Sequence, residues 1–283
     1  MPAIGLARHP AVRPTGRAAR AGLVLLAALA SLPVVSRLQV PPTERTIAVG
    51  RVPTAVAVDA RTRRVFVANL GSNTVSMLDA TSGAVLATVV VAPHPSALAV
   101  ATTAGRVFVV SDNVTWDYAG RVSVLDARSG RLLRTVAVGR GMHLLAVHER
   151  AGHVFVTNAT DASVSVLDAH SGRVLRTIPL GFTPGAIAVD ERTDRVLLAG
   201  APSFGPYPTG APWVQPHLAV VSLLDARSGT ILRTVPVGRL ADALTVDERT
   251  GQAFVANSQD STVLVLDGHT ASVVRTVAVP QAP

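Results

Sequence analysis

His94, His143 and Asp242 are residue types that could bind a divalent metal or move a proton, and Arg51, Arg140 and Arg239 could hold an anion. All six stand in short connections that align with one another. These read Arg51-Val52-Pro53-Thr54, Pro93-His94-Pro95-Ser96, Arg140-Gly141-Met142-His143, Phe182-Thr183-Pro184-Gly185 and Arg239-Leu240-Ala241-Asp242. His94 takes the second place of its connection, whereas His143 and Asp242 take the fourth, a pattern that matches no metal motif. The residues alone therefore favour a solvated, arginine-lined mouth suited to a small anionic ligand, with no metal, no cofactor and no catalytic residue assigned. A second group stands in two insertions. Ser111–Gly120 carries Trp116 and Tyr118, and Gly200–Leu218 carries Tyr207 and Trp213, which accounts for both Trp and both Tyr of the chain. Such side chains give large contact area with a polar tip, as recognition needs, but they could equally cover a gap or plug a widened hub. No Ser-His-Asp order, phosphate-binding glycine loop or HExxH motif occurs.

The repeat on which these residues are hung decides what can position them. Leu-Asp recurs with its aspartate at Asp79, Asp126, Asp168, Asp225 and Asp267, at intervals of 47, 42, 57 and 42 residues. Around it stand TVSMLDATSGAVLAT, RVSVLDARSGRLLRT, SVSVLDAHSGRVLRT, AVVSLLDARSGTILRT and the looser TVLVLDGHTASVVRT. The units run 46–87, 88–134, 135–176, 177–233 and 234–275. Each holds four valine-rich runs, in the first unit Ala55–Val58, Val65–Ala68, Val75–Leu78 and Val85–Val91. The Asp-Ala-x-Ser-Gly link is a hairpin turn, in which Asp accepts from backbone amides and Gly supplies positive φ. The runs are apolar on both faces, as a sheet sandwiched between neighbouring sheets requires. Four strands per unit at this period predict an all-β fold, a β-propeller of about five four-stranded blades. Strands that alternate in direction put the connections from one blade to the next (D–A) and from second to third strand (B–C) on one face. The six polar candidates and both aromatic insertions therefore share a face.

Phe66-Val67-Ala68-Asn69, Phe155-Val156-Thr157-Asn158 and Phe254-Val255-Ala256-Asn257, each followed by a polar turn and a strand ending in Asp, resemble the YVTN family of β-propeller repeats. The likeness spans roughly residues 44–279. Phe108-Val109-Val110-Ser111 and Leu197-Leu198-Ala199-Gly200 depart from the motif. The resemblance implies the fold and leaves function open, because propellers host lactonases, dehydrogenase subunits and binding platforms alike. Seven blades are usual in that family, so closure is in question here. An outer-type strand is expected at Arg45–Gly50 and another at Arg275–Val279, one more than a strand-exchanged ring needs. Either five blades close with a strand to spare, or an open arc leaves edges that a second chain covers, making a homo-oligomer.

Composition narrows the function classes. The 283 residues are 48% hydrophobic and 16% charged, which excludes a disordered chain. Cysteine is absent, and with it disulfides, thiolate metal sites and Cys nucleophiles. All 26 basic residues are arginine, so lysine Schiff bases and phosphate-loop lysines are excluded. Arg8, Arg13, Arg17, Arg20 and Arg37 fall in the first 40 residues; beyond them 21 arginines face 18 acids, too even a balance for nucleic-acid binding. The basic arm, the apolar run Ala21–Ala30 and Ala28-Leu29-Ala30 read as an export signal or short membrane anchor over 1–36, with a linker at 37–43 and the propeller at 44–283. Extracytoplasmic localisation follows. The leading expectation is an exported, non-enzymatic binding or scaffold module for a protein or small anionic ligand. The alternative is a lactonase or hydrolase-type propeller with its site at the channel mouth.

Overall fold

The computed structural model describes residues 46–111, 119–141, 144–202 and 218–279. Valine, whose branched side chain suits a pleated surface, dominates the strands, and the turn residues end them where expected. Blade 1 is β1 (Pro53–Asp59), β2 (Arg64–Asn69), β3 (Thr74–Asp79) and β4 (Val85–Val90). Blade 2 is β5 (Pro95–Ala101), β6 (Arg106–Ser111), β7 (Ala119–Asp126) and β8 (Leu132–Arg140). Blade 3 is β9 (Leu145–His148), β10 (His153–Asn158), β11 (Ser163–Asp168) and β12 (Val174–Pro179). Blade 4 is β13 (Phe182–Asp190), β14 (Arg195–Pro202), β15 (Ala219–Asp225) and β16 (Ile231–Gly238). Blade 5 is β17 (Ala241–Asp247), β18 (Gln252–Asn257), β19 (Thr262–Asp267) and β20 (Val273–Ala278). Each blade is an antiparallel four-stranded meander, all hydrogen-bonded in chain order.

Four apolar cores join the five blades. Phe66, Ala68, Val75 and Met77 of blade 1 pack on Leu98, Val107, Val109 and Leu125 of blade 2. The same positions repeat onward: Phe108 faces blade 3, Phe155 faces blade 4 and Leu197 faces blade 5. Phe66, Phe108, Phe155 and Leu197 are fully buried, each worth about 1.5–3 kcal/mol of transfer free energy. This is why the strands are apolar on both faces. The arc does not close: among the described residues no such core joins blade 5 to blade 1.

The expected outer strand before blade 1 is absent as a strand. Thr46–Val49 is in no ladder, because among the described residues no third strand of a preceding blade stands beside it. Its side chains nevertheless sit where an outer strand's would. A Cβ on Gly83 would stand 2.5 Å from Ile47 Cδ1, just as one on Gly229 would stand 2.7 Å from Ile178 Cδ1 of the preceding blade's β12.

The Leu-Asp turns form as expected. Asp126 Oδ1 accepts from Ser129 N at 2.9 Å, Ser129 Oγ at 2.8 Å and Arg128 N at 3.2 Å, while Gly130 takes φ of 72°. His148 is completely buried in the A–B turn of blade 3, where blades 1, 4 and 5 have Asp59, Asp190 and Asp247. Its Nδ1 accepts from Ala151 N at 3.0 Å, and its Nε2 lies 3.4 Å from Asp194 Oδ1. The ring thus does the work of the turn aspartate.

Candidate functional site

The meander places the D–A and B–C connections of every blade on one face, and there the described candidates are held by a repeated device. Arg140, ending β8, gives its backbone N to Asp161 Oδ2 at 2.7 Å and its Nε to Asp161 Oδ1 at 2.8 Å. Arg239 follows β16 and repeats this: its N donates to Asp260 Oδ2 at 2.9 Å, and Nε lies 3.5 Å from Asp260 Oδ1. Arg51 precedes β1 and donates its N to Ser72 Oγ at 3.1 Å. Each acceptor lies 21 residues beyond its arginine. That constant spacing is the signal by which Asp161, Asp260 and Ser72 could have been found in the sequence.

The arrangement has steric support behind it. Gly139 stands where a Cβ would be 2.6 Å from Asn158 Cβ, so the end of β8 presses directly on the B–C corner of the next blade. Asn158 is wholly buried and donates through Nδ2 to Ser163 Oγ and Ser165 Oγ, each at 2.9 Å. In blade 5 the equivalent Asn257 binds across the joint, Nδ2 donating to Val237 O at 2.9 Å and Oδ1 accepting from Leu240 N at 3.3 Å. The arginine side chains themselves stay open to solvent, 58% exposed at Arg140 and 68% at Arg239.

His94 enters β5 with φ of 57° and gives its backbone N to Asn73 Oδ1 at 2.9 Å. Its ring Nδ1 is buried rather than turned to a solvated mouth. Asp242, second residue of β17, accepts from Ser258 N at 3.2 Å and lines a pocket of about 320 Å³ with Ala256, Asn257, Ser261, Val263 and Val279. Arg51, His94, Arg140 and Arg239 occupy the entries to four different blades, 1, 2, 3 and 5. His143, Trp116, Tyr118, Tyr207 and Trp213 lie outside the described residues. Among the described residues no group of three or more His, Cys, Asp or Glu is placed to hold a metal ion.

The opposite face carries a strap that sequence reasoning missed. Glu149 accepts from Thr102 N at 2.5 Å and Thr103 N at 3.1 Å, on the A–B turn of blade 2. Glu191 of blade 4 repeats this on Glu149 N at 2.5 Å and Arg150 N at 3.0 Å, and Glu248 of blade 5 accepts from Glu191 N at 3.1 Å. Its sequence signal is the tripeptide His-Glu-Arg or Asp-Glu-Arg at 148–150, 190–192 and 247–249. These carboxylates tie successive blades and are structural.

No family model matches the sequence, and no curated protein matches it. Among solved structures, a chain of Kuenenia stuttgartiensis hydrazine synthase is similar, with a TM-score of 0.63 and 13% identity over 80% of this chain and 74% of that one. A chain of a nidogen/laminin complex is similar with a TM-score of 0.51 and 14% identity, over 82% of this chain and 81% of that one. At such identities the likeness speaks for architecture alone, and with five stacked four-stranded meanders it makes this an all-β chain of β-propeller fold.

Proposed function

We propose that the chain is an exported, non-enzymatic binding or scaffold module of YVTN-like repeats, whose ligand face is formed by the D–A turns and the two enlarged B–C loops. One observation carries this. Arg140 and Arg239 are exposed guanidinium groups, each with its backbone N held by a carboxylate that Nε also faces, bonded at 2.8 Å in Arg140 and 3.5 Å away in Arg239. Fixing a cation before a ligand arrives lowers the ordering cost of binding, and guanidinium groups suit carboxylate or phosphate partners. The aromatic insertions, which join strands on the same face, would add contact area. The ligand is therefore a protein with an acidic surface or a small anion, and the near-neutral body argues against nucleic acid.

Calorimetric titration with citrate and with an acidic Glu/Asp peptide tests the reading. Arg140→Ala and Arg239→Ala are expected to weaken binding about tenfold each, as loss of one charge-assisted contact does. Trp116→Ala and Trp213→Ala are expected to weaken it while leaving denaturant midpoints nearly unchanged; large stability losses in both would assign those rings to a buried plug. No binding of either probe, together with lactone hydrolysis abolished in Asp242→Ala, would replace this reading with the hydrolase one. Export is proposed from the leader and is checked by the amino-terminal sequence of protein recovered outside the cytoplasm.

A further inference from the structure

Among the described residues, two sheet faces of the arc lack the neighbour that every other face has, and they are opposite halves of one joint. The face of each blade that looks back along the chain is built from alternate residues of its first two strands. In blades 2 to 5 these are Leu98 and Val100, Leu145 and Val147, Ile187 and Val189, and Leu244 and Val246, all packed in inter-blade cores. Blade 1 has Val56 and Val58 there, paired with Val67 and Val65, and they are 42% and 59% exposed. The forward face is the complement. Phe66, Ala68, Val75 and Val89 of blade 1 become Phe254, Ala256, Val263 and Val277 of blade 5. Val277 is 40% exposed, whereas its equivalent Val235 in blade 4 is buried.

The pocket beside Asp242 is the corner of that forward face. In blade 1 the equivalent corner receives the entry turn of blade 2: Thr54 Oγ1 donates to Pro95 O at 3.0 Å and Asn73 Oδ1 accepts from His94 N. Val52 holds the place of His94 in blade 1 and shares its left-handed backbone, with φ of 52° against 57°. The entry turn that fits the open corner of blade 5 is thus already built at the start of blade 1.

We propose that the forward face of blade 5 in one copy binds the backward face of blade 1 in a second copy, continuing the joint that the chain makes four times within itself. Such a head-to-tail contact is heterologous: it ends in a ring if the rotation closes and grows as a filament if it does not. Thr46–Val49 lies across the outer part of the blade 1 face, in the seat that β20 of the incoming copy would take. The segment carries the Thr-x-Ala-Val of Thr276–Val279, at the end of β20, but has no ladder bond, so it is the segment that leaves. This inference is independent of the ligand face proposed above.

Light scattering of the full chain across a concentration series is expected to show mass rising above the monomer. Val58→Asp and Val277→Asp change exposed residues, with Val56→Asp and Val279→Asp as second variants should either fail to fold by circular dichroism. Each alone is expected to be monomeric. Mixed in equal amounts, a backward-face and a forward-face variant keep one live joint between them and should give a dimer and nothing larger. Ile47→Asp, which unseats the covering segment, is expected to strengthen association. A wild-type monomer at every concentration would overturn the proposal, as would self-association of either single variant or a mixture that stays monomeric. Loss of association in Ile47→Asp would overturn the seat assigned to that segment.

Discussion

Asp126 and its counterparts Asp79, Asp168, Asp225 and Asp267 are held below their ordinary value of 3.8 by the turns folded around them. For Asp126 the largest cause is the backbone amide of Ser129; for Asp168 it is the Ser171 hydroxyl. A carboxylate depressed in the folded state stabilises the fold at pH above the unfolded value, near 3.9, and this contribution is lost as pH falls through the lower folded value. Stability is therefore expected to be flat through neutrality and to fall below about pH 4. Asp126→Asn keeps an acceptor for the turn and removes the titration. Its denaturation midpoint should depend less on pH below 4 than the wild type's, while Asp126→Ala should cost about 1–2 kcal/mol at neutral pH. A steeper acid dependence in Asp126→Asn would contradict this account. These aspartates were legible because their turn is local in sequence. His148 was not: its burial depends on Asp194 and Glu191 of the next blade, and no local pattern announces that.

Strands were legible for a related reason. A valine-rich run between turn residues needs only near neighbours to declare itself, and all four expected in the first unit are present. Thr46–Val49 is the instructive exception. It has the composition of an outer strand and lacks the partner that would make it one, so composition alone could not settle its state. The glutamate strap was hidden because Glu149, Glu191 and Glu248 act across a blade joint, about one repeat from their amides. Glu191→Ala is expected to cost about 1.5–3 kcal/mol, the range for bonds to a charged acceptor. The loss should appear in amide exchange of β9 and β13 rather than in the distant β1. An unchanged midpoint for Glu191→Ala in denaturant would show the strap to be ornamental.

Taken whole, the arc has interior blades held on two sides and end blades held on one. Stability in such a stack is approximately a sum over blades and nearest-neighbour joints. In the monomer, amides of β6, β10 and β14 should accordingly exchange more slowly than those of β2 and β18, with blades 1 and 5 opening first. Equal protection in all five blades of a monomeric sample would require a fifth joint within one molecule. The blade count could be read from the repeat, whereas closure could not, because each unit describes its joint to the next and none describes the curvature summed over five. The two enlarged loops break the repeat, and for that reason the repeat says nothing about the aromatic residues they carry. Since all four joints are built from the same positions of the repeat, no joint in this molecule keeps count. A duplication of one 42-residue unit in the gene would enter between its neighbours with both of its seams already matched, so length can drift over generations without any joint having to be reinvented.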